Sequence, residues 1–117
     1  MEFKQLGSSG IEVSAVGLGC NNFGRRIDAM EARDVVYDAL DAGINLFDTA
    51  ESYGGGKSEI YLGKALGPRR ADVVIATKFG WGGRQNRVTV ENAIDASLRR
   101  LGTDYVDLYQ IHKPDTS

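Results

Sequence analysis

The sequence is poor in the residues that bind metals and form cross-links. Its 117 residues include one cysteine and one histidine. A single cysteine excludes an intrachain disulfide, and one Cys with one His is too small a ligand set for a Cys/His zinc site. A lone thiol fits a reducing compartment, and the cytoplasm is the expected location. No apolar run approaches the roughly 20 residues that span a bilayer. The opening MEFKQLGSSG lacks the basic start and apolar core of a signal peptide. Net charge is -2, from 14 basic and 16 acidic side chains, and the only notable basic cluster is Arg69–Arg70. Binding to nucleic acid or to an anionic membrane is therefore not expected. Two nucleotide motifs are also missing. Gly17-Leu18-Gly19 has no glycine three residues further on, and Gly56-Lys57-Ser58 is preceded five residues earlier by Glu51 instead of glycine.

The composition that remains, 42% hydrophobic and 26% charged, is that of an ordinary soluble domain. "EFKQL" and "IEVSAV" flank the turn residues "GSSG" and predict a hairpin over residues 1–16. From residue 17 onward, short apolar runs alternate with helical patterns. "AVGLGC", "INLFDTA", "DVVIATKF" and "YVDLYQIH" predict four strands. Ala32, Val35, Val36, Ala39 and Leu40 share one helix face between Glu31 and Ala42, with Gly43 placed to end it. Ser58 is the expected cap of a second helix that runs to Leu66. Thr89 is the expected cap of a third, with Val90, Ala93, Ile94, Leu98 and Leu101 as its apolar face. Strands about 30 residues apart with helices between them are βαβ units, and near-continuous apolar strands imply a parallel sheet covered on both faces. Two architectures fit this α/β class: an open doubly wound sheet, or part of a (β/α)8 barrel.

In parallel α/β folds the chemistry gathers at the carboxyl ends of the strands. The second strand ends at Asp48, with Tyr53 in the loop beyond; the third ends at Lys78; the fourth ends at His112. Each has a plain reading alone: a turn-capping aspartate, a solvated lysine, an exposed tyrosine, a rim histidine. Adjacent strands in register would bring all four to one rim, and four reactive types there point to a shared task. An ammonium beside a tyrosine makes the phenol a better proton donor. Asp48 could keep Lys78 charged and oriented, and His112 could hydrogen-bond a substrate oxygen. Such a donor suits a carbonyl that receives hydride. No side chain supplies hydride, so a nicotinamide cofactor is required.

These segments carry a family resemblance. "LGSSGIEVSAVGLGC", "GINLFDTAESYGGGKSEIYLGKAL", "VVIATKFGW" and "VDLYQIHKPD" resemble, in order, the opening hairpin and first strand, the aspartate–tyrosine signature, the lysine strand and the histidine strand of the aldo-keto reductases. The resemblance implies a (β/α)8 barrel, here its first half: a hairpin over 1–16, then four parallel strands alternating with three helices over 17–117. It implies an oxidoreductase that reduces an aldehyde or ketone with NADP(H). Tyr53 would be the general acid, acting with Asp48, Lys78 and His112. Gly19, Cys20, Asn21 and Asp48 would border the cofactor; His112, Trp81 and Phe23 would lie near the substrate. Glu51 and Ser52 share the mouth loop without an assigned role. The segment around Asp48 is also similar to that of the potassium-channel β-subunits, which implies an alternative as a cofactor- or partner-binding module without catalysis.

A whole barrel takes about 250 residues, so a chain of 117 is expected to be a fragment with little activity alone. The remaining half would carry most of the cofactor site, including the pocket for the 2′-phosphate. Unpaired apolar edges are expected to favour self-association, or assembly with a second half.

Overall fold

The computed structural model describes residues 1–81 and 86–114, with Trp81 described through its backbone only. The hairpin is present: β1 (Phe3–Gln5) pairs antiparallel with β2 (Glu12–Ser14). Next come β3 (Gly17–Gly19), α1 (Ala29–Asp41), β4 (Leu46–Asp48), α2 (Lys57–Leu66), β5 (Val74–Trp81), α3 (Arg87–Leu101) and β6 (Leu108–Lys113). The sheet order β3-β4-β5-β6 follows the sequence without reversal, and every pairing is parallel. Helix α2 packs against both α1 and α3, so the helices form one layer. A doubly wound sheet reverses its strand order and places helices on both faces. This sheet does neither, which leaves the barrel type of winding.

Strand alternation then sorts the side chains. Leu18, Phe47 and Ile75 stand in register, and Phe47 and Ile75 are fully buried in a core that includes Ala32 and Val36 of α1 and Leu62 and Leu66 of α2. Gly19, Asp48, Ala76 and Leu108 stand in register on the opposite face, with Lys78 beside Gln110 one layer closer to the carboxyl ends. The hairpin is tied to the start of β4 by Asn45. Its side chain accepts from Ser14 N at 2.6 Å and donates to Glu12 O at 3.0 Å.

Helix starts differ from the sequence expectation for local reasons. Asp28 and Glu31 form a reciprocal capping box, so α1 begins two residues before Glu31. Asn86 caps α3 and Thr89 is the third-position partner of that box, not the cap. Ser58 does not cap α2. Three successive left-handed glycines, Gly54, Gly55 and Gly56, turn the chain into the helix, and the Ser58 hydroxyl is buried, donating to Cys20 O at 2.7 Å. Val35 is 37% exposed, because the buried stripe of α1 narrows to Ala32, Val36 and Ala39. Strands β5 and β6 extend past Lys78 and His112 to Trp81 and Lys113.

Between α2 and α3 the backbones nearly touch at Gly63, where an added methyl would be driven into the Leu101 carbonyl. Alanine is the better helix former by about 1 kcal/mol. Even so, Gly63→Ala is expected to destabilise by about 1–3 kcal/mol, the cost of forcing an extra carbon into a closed contact. A lowered urea midpoint would record it, and an unchanged or raised midpoint would show that the helices separate freely.

Candidate active site

The carboxyl ends of β3, β4 and β5 are joined by a clamp of backbone bonds. Cys20 N donates to Asp48 O, Thr49 N to Ala76 O, and Glu51 N to Lys78 O, at 2.8, 2.8 and 3.1 Å. The Glu51 carboxylate accepts from Gly80 N at 2.9 Å, which pins the loop after β4 onto the end of β5. Buried Thr49 and Ser58 share a hydroxyl–hydroxyl bond of 2.8 Å beneath the loop. Tyr53 opens the short turn Tyr53–Gly56 directly above this clamp.

Lys78 is the hub. Its ammonium donates to Asp48 Oδ1 at 2.8 Å, to Thr49 O at 2.9 Å and to the Tyr53 hydroxyl oxygen at 3.2 Å. An ammonium has three N–H groups, and all three are used. Tyr53 accepts from Lys78, so its own O–H proton remains to be donated elsewhere. The Tyr53 and His112 rings meet edge to face, with centroids 5.6 Å apart and planes at 87°. Asp48, Tyr53, Lys78 and His112 are thus brought to one rim.

The charges follow from these contacts. Burial alone would lower the Lys78 pKa, but hydrogen bonds to Asp48 and Tyr53 and the nearby Asp48 charge outweigh it and hold the value above the ordinary one. His112 is held below its ordinary value by desolvation and then by the Lys78 charge, against smaller opposing effects of Asp48 and Glu51. The rim therefore pairs a cationic lysine with a neutral imidazole at neutral pH. Lys78 has a raised folded-state pKa, so its contribution to stability is fully present below its unfolded value, about 10.5, and is lost as pH rises through the folded one. The stability difference between the protein and Lys78→Met is expected to hold up to about pH 10.5 and to shrink above it. Urea midpoints on either side of that pH would measure it, and a constant difference would contradict it.

The other expected site residues have mixed positions. Gly19 is exposed, and a methyl added there would meet nothing closer than Asn21 Oδ1 at 3.8 Å. Asn21 is exposed beside it. Cys20 is fully buried, burial pushes its thiol up to about 12, and its backbone N–H and C=O are both engaged. Its side chain belongs to the core, so it presents no reactive thiol. Phe23, expected near the substrate, is 2% exposed, with its ring packed in the same core. The side chain of Trp81 lies outside the described residues. A concave space of about 390 Å³ lies along the inner sheet face beside Gly17, Gly19, Asp48, Ala76 and Gln110. A larger cleft of about 600 Å³ between α2 and α3 contains none of the rim residues. Among the described residues no group of three His, Cys, Asp or Glu could hold a metal, and no described helix is long and apolar enough to cross a membrane.

The sequence profile of the Aldo/keto reductase family matches residues 15–117. The chain belongs to the aldo/keto reductase family. It is similar to the aldo-keto reductase YhdN of Bacillus subtilis, with 40% identity over 98% of this chain and 39% of that protein. It is also 41% identical to a probable voltage-gated potassium channel subunit beta of Arabidopsis thaliana, over all of this chain and 39% of that one. The holo form of aldo-keto reductase AKR11C1 from Bacillus halodurans superposes with a TM-score of 0.87 and 40% identity, over 98% of this chain and 41% of that one. An aldo-keto reductase from Klebsiella pneumoniae in complex with NADPH gives 0.79 and 33% identity, over 89% and 37%. The chain thus spans about two fifths of its curated relatives' length, as the first half of the (β/α)8 barrel. In this aldo/keto reductase chain the rim also holds two residues to which the sequence assigns no role. Glu51 anchors the loop to Gly80, and Ser52 Oγ lies 3.4 Å from His112 Nδ1. Their signal was adjacency to Tyr53 on the loop that follows a strand end.

Proposed function

We propose that this chain carries the proton-donating and carbonyl-orienting side of an NADP(H)-dependent reductase acting on an aldehyde or ketone. The observation that carries the reading is the Lys78 ammonium with its three N–H groups committed to Asp48, Thr49 and Tyr53. Tyr53 gives its hydroxyl proton to the carbonyl oxygen as that oxygen gains negative charge. The ammonium beside it stabilises the phenolate left behind. Neutral His112, as the substrate-binding residue, donates an N–H to the same oxygen and orients it.

When bound, the nicotinamide supplies the hydride that no side chain can. The residues fit such a group on one side: Gly17, Gly19 and Ala76 leave the inner sheet face open next to Asp48. Gly19, Asn21 and Asp48 would hold the cofactor there, with Cys20 shaping the strand end from beneath. Among the described residues, sheet edges β3 and β6 each pair on one side only. These are the edges to which further strands of the reductase, a second half or a second copy would add. The expected place of work is the cytoplasm, a reading supported by a buried free thiol.

The test follows NADPH oxidation with a reactive aldehyde such as 4-nitrobenzaldehyde, alongside NADPH titration by fluorescence. Turnover that saturates in both reactants supports the reductase. The 41% identity to a probable channel β-subunit favours one second reading, a cofactor-binding module. Saturable NADPH binding without turnover would select it.

A further inference from the structure

We propose that Ser52 is a positioning residue that holds His112 in the tautomer with its proton on Nε2. This deepens the reductase reading and rests on it only for its effect on turnover. Ser52 Oγ lies 3.4 Å from His112 Nδ1, and the two residues are sixty positions apart in the chain. Ser52 occupies the N-cap position of the turn Tyr53–Gly56, where a serine hydroxyl ordinarily bonds the following backbone; here it makes no such bond. The hydroxyl is instead turned across the rim to the imidazole on β6, two strands along the sheet.

A neutral imidazole has one ring nitrogen that donates and one that accepts, and the bond made by one nitrogen decides the state of the other. A serine hydroxyl that donates to Nδ1 leaves the ring proton on Nε2. An Nδ1–H tautomer would put the donor toward Ser52 and leave Nε2 an acceptor. An accepting nitrogen repels a carbonyl oxygen and cannot orient it. The edge contact with Tyr53 bears on the ring plane, and the Ser52 hydroxyl bears on the proton's position. Two adjacent residues of one loop therefore act on one reaction centre: Tyr53 gives the proton and Ser52 fixes the donor that aligns its acceptor.

His112 is the only histidine of this chain, which makes the imidazole directly readable. In the 15N-labelled protein at neutral pH, Nδ1 is expected to resonate as an unprotonated nitrogen and Nε2 as a protonated one. In Ser52→Ala both signals are expected to move toward the average of mixed tautomers, and Ser52→Thr, which keeps the hydroxyl, should restore them. Ser52 is exposed, so neither variant disturbs the core. In turnover, Ser52→Ala is expected to lower kcat about tenfold with little change in KM, by analogy with the smaller losses seen when the hydrogen-bond partner of a metal-bound histidine is removed. A protonated Nδ1 in the starting protein, or imidazole signals unmoved in Ser52→Ala, would overturn the proposal. Tautomer signals that move as expected in a protein that binds NADPH saturably without aldehyde turnover would leave Ser52 in place and favour the cofactor-binding module over the reductase reading.

Discussion

Tyr53→Phe is expected to lower kcat/KM for aldehyde reduction by about 10²–10⁴-fold, the range supplied by a positioned general acid. The substitution removes one oxygen and keeps the ring, so the edge contact with His112 survives. What is lost is specific to the rim. The Lys78 ammonium sheds its 3.2 Å acceptor but keeps Asp48 and Thr49, so its charge and place are retained. The carbonyl loses its proton donor while every neighbouring charge stays as it was. KM should therefore change little and kcat should carry the loss. Equal rates for the two proteins would remove Tyr53 from the chemistry. Lys78→Met provides the complementary result: Tyr53 then keeps its hydroxyl without the neighbouring cation that stabilises the phenolate left by proton transfer, and kcat should also fall.

The rim was legible in the sequence because its logic is topological. A parallel strand that ends on a polar residue points it at the carboxyl edge. Asp48, Lys78 and His112 each close or nearly close such a strand, so their convergence needed only register. Tyr53 followed from the loop. The misreadings have a common physical source, which is that a local motif can be satisfied from either end or bypassed. Asn86 and Thr89 are the two halves of one reciprocal box, and either could be taken for the cap. Ser58 sits where a cap belongs, yet the three preceding glycines already make the turn, which frees its hydroxyl to bond inward to Thr49 and Cys20. Pairs such as Glu59 with Arg100, or Ser52 with His112, leave no local trace at all, because nothing within a helical turn or strand period links residues 41 and 60 positions apart.

The Glu59–Arg100 pair is where the largest loss of stability is expected. Glu59 on α2 is fully buried, a costly place for a carboxylate. Its Oε1 accepts from Arg100 Nε of α3 at 2.7 Å, its Oε2 accepts from Thr77 Oγ1 of β5 at 2.7 Å, and the same guanidinium donates to Ser97 Oγ at 3.1 Å. One carboxylate thus joins two helices and the strand that carries Lys78. Arg100→Met preserves much of the side chain's bulk but leaves the buried charge with only a threonine. Removing one partner of a buried pair typically costs about 3–5 kcal/mol. The side chain of Arg100 is 26% exposed, and the water that can enter there makes about 3 kcal/mol the expected loss. Adding Glu59→Gln removes the stranded charge while retaining an acceptor for Thr77, so the double variant should regain a large part of that loss. Urea unfolding of both single variants and the double variant closes the cycle. A coupling energy near zero would mean that the pair only fills space, and that the rim's strand is held by packing alone.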